Sequence, residues 1–241
     1  MRASRVLFAA LVAAQVAYPR LPARRRGTAT AGVLGLMLAT SAAEAVEARG
    51  RRGAALLGTA AGIASAVEVV GVRTGRPFGE YAYSDRLGPR AGGVPLVVGV
   101  PWALMARPAW VVAGLIDSRP SRRVPLAAGA LTAWDVFVDP RMVADGYWEW
   151  PGGGRYEGVP LSNFAGWFAT GTLVFAVWAA QQRGQSPTLH EDGDGALAFY
   201  VWTWAGETFA NAVFWRQPRV AVAGALAMGA FAVPALWRRM R

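Results

Sequence analysis

Apolar positions fall along this chain in eight blocks, separated by short stretches rich in arginine, glycine, proline or acids. A helix that crosses a bilayer needs about 20 mostly apolar residues. Residues 3–18, 28–48, 53–72, 94–116, 124–139, 161–180, 196–215 and 219–237 have that character. The pattern predicts an all-α fold, a polytopic integral membrane bundle of seven to eight transmembrane helices, with residues 1–241 as one domain. The first and fifth blocks are short, about 24 Å at 1.5 Å per residue. Local bilayer thinning or burial among neighbours accommodates such lengths. The first block, "MRASRVLFAALVAAQVAYPR", also has the form of a signal peptide. It lacks a small-x-small site before Pro19 and is read as an uncleaved helix; cleavage would leave seven. Pro95, Pro101 and Pro108 predict a kink or break in the fourth helix, because each removes a backbone donor. Gly58 and Gly62, four apart, predict a small-residue helix contact.

Composition narrows the chemistry. Hydrophobic residues make up 54% of the chain and charged residues 17%, too apolar for an ordinary soluble domain. With no cysteine, disulfides, thiolate metal sites and cysteine nucleophiles are excluded. A single histidine, His190, excludes the histidine clusters of membrane di-iron enzymes. The glycines of 152–158 have the wrong spacing for a dinucleotide fingerprint, so no flavin or nicotinamide cofactor is expected. The net charge of +10 comes from arginines scattered between apolar runs. That is membrane-loop charge rather than a nucleic-acid surface. The loop arginines divide evenly between the two sides, so orientation stays open; the run Arg24 to Arg26 favours the odd-numbered loops as cytoplasmic. The polar stretch "RGQSPTLHEDGDG" (183–195) has no EF-hand spacing and reads as a solvated loop.

The acids are unevenly distributed. With eight alternating helices, the C-terminal ends of helices 3, 5 and 7 and the start of helix 6 open on one side. Glu68 lies about a turn from the end of helix 3, and the following loop carries Glu80, Tyr81 and Tyr83. Helix 5 ends in "WDVFVD", with Trp134, Asp135 and Asp139, and its loop carries Trp148 and Trp150. Asn163 and Trp167 open helix 6, and Glu207 and Asn211 share a face of helix 7. Carboxyls at membrane depth are costly and face a cavity or a partner. A carboxyl that keeps its proton there is a general acid in waiting, and Glu68, Asp135 and Asp139 are the catalytic candidates. Glu80, Tyr81, Tyr83, Trp134, Trp148, Trp150, Asn163, Trp167, Glu207 and Asn211 are the substrate-binding candidates.

Plainer readings stand beside this one. Asp139-Pro140-Arg141 could be a helix stop with a local ion pair. Glu68 could pair with Arg107 or Arg73, Glu44 and Glu47 could mark an interfacial helix end, and the aromatics could form a membrane-interface belt. Asp135 and Asp139 also match the D-x-x-x-D of Mg-dependent membrane prenyltransferases, which need a second acidic motif; only Glu44 and Glu47 are available to form one. A proton-coupled transporter would relay protons through Glu68 and Asp135, but no inverted repeat accompanies them.

Three blocks in order, "GRPFGEYAYSDRLGP", "GVPLVVGVPW" and "WDVFVDPRMVADGYWEWPGGGRYEGVPLSNFAGWF", resemble the carotenoid biosynthesis membrane protein family, which includes carotenoid 1,2-hydratases of the bisanhydrobacterioruberin type. The likeness is carried by residues 68–167. It implies addition of water to the terminal double bond of an acyclic carotenoid, with no cofactor and no metal. It also implies a lipophilic carotenoid and membrane lipids as partners, together with other carotenoid-pathway enzymes, in the plasma membrane of a bacterium. A non-enzymatic carotenoid-binding scaffold is the main alternative; it would need the aromatics but not the acids.

Overall fold

The computed structural model describes residues 2–182 and 193–241, and the following statements concern those residues. His190 and most of the polar 183–195 stretch lie outside them. Eight α-helices follow in order: α1 Ala3–Ala17, α2 Ala23–Arg49, α3 Arg51–Thr74, α4 Gly99–Ile116, α5 Pro120–Ala144, α6 Leu161–Gln181, α7 Asp194–Val213 and α8 Pro218–Met240. Each coincides with one of the eight apolar blocks. Five stretches are long and apolar enough to cross a membrane: Arg24–Arg49, Arg51–Thr74, Leu96–Ile116, Leu161–Gln181 and Pro218–Met240. α1, at 15 residues, is shorter, and α5 and α7 fall short of the mean hydropathy of a spanning stretch. The outward face of α8 presents Val222, Leu226 and Val233, an exposed apolar surface that suits lipid.

Two helix boundaries differ from the pattern-based expectation, both because of proline. α5 does not stop at Asp139; it continues for a further turn through Pro140. A helical proline leaves the carbonyl four residues earlier without its donor. Here that carbonyl belongs to Val136, and the Tyr156 hydroxyl donates to it at 3.1 Å. The fourth helix begins at Gly99 rather than Val94. Val94–Pro95 is instead a short strand, β3, followed by a 3-10 turn over Leu96–Val98. Pro101 therefore falls in the first turn, where backbone donors have no helical partner, and Pro108 sits inside a continuous helix.

Contacts between helix ends sort the bundle into two faces. Glu47, near the end of α2, accepts from the backbone N–H (2.9 Å) and hydroxyl (2.5 Å) of Ser4 at the start of α1. Asp194, at the start of α7, pairs with Arg239 at the end of α8 at 2.6 Å. A single residue, Gly50, joins α2 to α3 on this face. At the turn of that hairpin a Cβ on Gly53 would sit 2.0 Å from the Ala45 carbonyl oxygen, so glycine permits the close helix crossing. Gly58 and Gly62 do not do so, since no other part of the chain comes within 4 Å of where their Cβ atoms would be. On the opposite face, the loops after α3 and α5 are joined: strand β1 (Ala82–Tyr83) pairs antiparallel with β4 (Trp148–Glu149). A second small sheet pairs β2 (Arg90–Ala91) with β3. Between the faces lies a core of close-packed aromatic and aliphatic side chains, including Trp102, Phe137, Phe175, Trp178 and Tyr200.

Candidate active site

The β1–β4 ladder puts Tyr83 opposite Trp148 and Ala82 opposite Glu149. Side chains alternate across a strand, so the two loops present an aromatic layer over the ends of α3, α5 and α6. Within it Tyr81 and Tyr83 meet edge to face at 5.3 Å, Tyr83 and Trp148 at 5.9 Å, and Tyr81 lies 6.0 Å from Trp150. Trp150 is anchored by its indole N–H, which donates to the Phe78 carbonyl at 3.0 Å. Gly79 adopts φ +90°, a left-handed conformation that side chains resist, and lets the loop turn beside Trp150 and Pro160.

Three buried carboxyls lie beneath the aromatics. Glu68 is 5% exposed, and its Oε2 accepts from both the Tyr81 hydroxyl (2.5 Å) and the Tyr83 hydroxyl (2.9 Å). Asp135 is fully buried and Asp139 is 3% exposed. One turn apart on α5, the two face the same way. Asn163 of α6, itself 2% exposed, bridges them. Its amide nitrogen donates to Asp135 Oδ2 at 3.1 Å and to Asp139 Oδ2 in a still shorter contact. The two aspartates are also within hydrogen-bonding reach of each other, and the Trp148 side chain reaches Asp139. Glu68 faces both of them electrostatically. Three like-charged groups are thus held in one buried cluster. Asp135 Oδ1 has no hydrogen-bond partner.

The two phenols are locked as donors. Burial pushes Tyr81 well above the ordinary phenol range, and the Glu68 carboxylate pushes the same way. Tyr83 is raised for the same two reasons, in the same order. Both keep their protons across the physiological range, and both O–H groups are committed to Glu68.

The remaining sequence candidates separate into neighbours and outliers. Trp167, one turn beyond Asn163, stacks on Trp102 of α4 at 4.1 Å and 13° and so borders the cluster. Trp134 is buried in the core with its indole N–H unpartnered, and no hydrogen bond or ring contact joins it to the acids. Glu80 is exposed. Glu207 and Asn211 form a local pair on α7, where the Asn211 amide donates to the Glu207 carbonyl at 2.9 Å and to its carboxylate at 3.4 Å. The cation that faces Glu207 is Arg141, which is ion-paired to Asp145 and lies over the Trp215 ring. This pair sits apart from the Glu68–Asp135–Asp139 cluster. Phe78, Trp102 and Tyr156 were not among the sequence candidates, although all three stand inside the blocks that carry the family likeness.

The plainer readings find other partners. Arg107 pairs with Glu44, not Glu68, through two of its guanidinium nitrogens, Nε and Nη2. Glu44 and Glu47 lie on the opposite face from Asp135 and Asp139, engaged with Arg107 and Ser4. They do not complete a second acidic motif for a diphosphate-bound metal.

The likeness seen in the sequence extends over nearly the whole chain. Residues 6–231 match the family described as carotenoid biosynthesis protein. The chain belongs to that family. A bisanhydrobacterioruberin hydratase from Haloarcula japonica is 36% identical over 115 residues, covering 45% of this chain and 38% of that protein. This chain thus matches well under half the length of that hydratase. No solved structure matches the chain.

Proposed function

We propose that this protein adds water across the terminal carbon–carbon double bond of an acyclic carotenoid end group by acid catalysis, with no redox cofactor. One observation supports it above the others. A carboxyl oxygen, Asp135 Oδ1, is buried without a partner inside an acid cluster roofed by aromatic rings. An unsatisfied buried polar atom is costly in a structural site and useful in a catalytic one.

The geometry divides the work. Asp135 and Asp139 share the Asn163 amide and lie within reach of each other, an arrangement that suits one proton held between two carboxyls. Asp135 delivers that proton to the less substituted alkene carbon, and a tertiary carbocation forms at the other. The faces of Tyr81, Tyr83, Trp148, Trp150 and Trp167 surround the cation, each ring contributing about 2 kcal/mol when desolvated. Water attacks the cation and releases a proton. Glu68, an acceptor fixed by two phenol donors, takes it. Transfer from Glu68 back to the aspartate pair restores the starting state, and the net reaction consumes one water and no proton. In this scheme Glu68 is the base, with the acid role falling to the Asp135–Asp139 pair.

The same reading has all eight helices crossing the plasma membrane of a bacterium, with the carotenoid entering laterally from the lipid. Expression in cells that accumulate an acyclic carotenoid tests it. Extracted pigment should gain the mass of one water, and the Asp135→Asn variant, present in the membrane at normal level, should leave the pigment unchanged. Unchanged pigment with the unaltered protein would favour a carotenoid-binding scaffold.

A further inference from the structure

Phe78 belongs to the loop between α3 and β1, yet it is only 1% exposed. Its ring is wedged between two helices, and each helix carries a glycine where the ring meets it. A Cβ on Gly71 of α3 would lie 2.9 Å from ring atom Cδ2. A Cβ on Gly166 of α6 would lie 2.6 Å from Cδ1, on the other edge of the ring. Carbon atoms pack at about 3.5–4.0 Å, so neither position admits a side chain while the ring stays in place. Gly71 has a second neighbour: the same Cβ would be 2.8 Å from the Tyr81 hydroxyl oxygen. That hydroxyl donates to Glu68 Oε2 at 2.5 Å, and Glu68 precedes Gly71 by about one turn of α3.

The ring passes its position on to the aromatic layer. Phe78 meets Tyr81 edge to face at 6.1 Å, and its backbone carbonyl holds the Trp150 indole. Both glycines are buried inside their helices, where glycine is less favourable than alanine. A close-packed interior transmits a displacement rather than absorbing it. A methyl group at either position must therefore move Phe78, Tyr81 or both. At position 71 it bears directly on the hydrogen bond between Tyr81 and Glu68.

We propose that Gly71 and Gly166 are positioning residues for the acid cluster: together they form the slot that seats Phe78, and Gly71 also leaves the room in which the Tyr81 hydroxyl reaches Glu68. Neither touches substrate, and both act through Tyr81. The consequence for rate rests on the hydration reading, whereas the effect on the Tyr81–Glu68 bond does not.

Full-length protein in detergent supplies a readout that needs no substrate. The phenol C–O stretch of Tyr81, isolated in the infrared by subtracting the Tyr81→Phe variant, reports its hydrogen bond to Glu68. Gly71→Ala should shift that band, and Gly166→Ala should shift it less. Gly58→Ala, also on α3 but with open space around the added methyl, should leave it unchanged. In membranes at matched protein level, Gly71→Ala should slow hydration about ten-fold, the loss of one hydrogen bond to a carboxylate. Added to Tyr81→Phe it should slow hydration little further, because the bond it disturbs is already gone; purely structural damage would multiply instead. Gly166→Ala covers the case in which Gly71→Ala does not fold. The proposal is overturned if the Tyr81 band stays in place in whichever of the two variants folds, or if Gly58→Ala shifts it equally. It is also overturned if Gly71→Ala slows the Tyr81→Phe protein as much as the unaltered one, or if neither variant folds, which would make both glycines packing residues alone. A shifted band in a protein that hydrates nothing would support the slot and count against the hydration reading.

Discussion

The Tyr156 hydroxyl donates to the Val136 carbonyl across 3.1 Å, and by doing so lets α5 pass through Pro140. The consequence reaches the acids, because Asp135 and Asp139 flank that carbonyl on the same helix. Removing the hydroxyl strands a carbonyl with no other donor. Tyr156→Phe should lower stability by about 1–2 kcal/mol, measured as a fall in unfolding temperature in detergent. It should also reduce hydration more than stability alone accounts for, since it loosens the turn that sets the spacing of the two aspartates.

Tyr156 further predicts an alkaline limit. Burial, with a smaller contribution from Glu157, pushes its phenol from 10.0 up to about 12. Between those values the folded protein holds a proton that the unfolded chain has released. Its contribution is therefore complete below pH 10 and is lost as pH rises toward 12. Tyr81 and Tyr83 are raised as well and add to the same loss. Thermal unfolding followed from pH 9 upward should show stability falling past about pH 10, and Tyr156→Phe should make the fall shallower. A fall of equal steepness in the variant would remove Tyr156 from the explanation.

The phenols over Glu68 supply a separate prediction. Tyr81→Phe and Tyr83→Phe each leave Glu68 with one donor in place of two. Each should slow hydration by about ten-fold or more, and the double variant should approach the rate of Glu68→Gln. Product formation in membranes, at matched protein level, is the measurement. Because the rings remain, carotenoid retained by the purified protein should be little changed.

Most of the fold is visible in the alternation of apolar and polar blocks, because a helix in lipid must satisfy its own backbone and therefore announces itself by length and composition. Boundaries at proline are harder. Pro140 looks like a stop until the hydroxyl of Tyr156, twenty residues beyond Val136 in sequence, is known to stand in for the missing bond. The acid side was legible for a similar reason: alternating helices place the ends of α3 and α5 and the start of α6 together. Alternation does not say which of those ends touch. For that reason Glu207 and Asn211, on the same side by the alternation, stand instead with Arg141. Two-residue strands carry no periodic signal, so the β1–β4 pairing that sets Tyr83 against Trp148 was beyond reach. The Glu44–Arg107 pair was hidden too, since long side chains on α2 and α4 can reach several partners.

That ion pair makes a stability prediction of its own. Removing one member of a buried pair costs about 3–5 kcal/mol. Glu44→Gln should therefore lower the yield of folded protein in membranes sharply. Pairing it with Arg107→Gln should restore part of the loss, as judged by the unfolding temperature of the two variants.

The source of the new oxygen bears on the central claim most directly. Cells making an acyclic carotenoid and expressing this protein would be grown in heavy-oxygen water, and their pigment weighed. With the unaltered protein, the pigment should gain one water carrying the heavy isotope; with Asp135→Asn it should gain nothing. An oxygen drawn from air instead of water, or full hydration by the Asp135→Asn variant, would contradict the account.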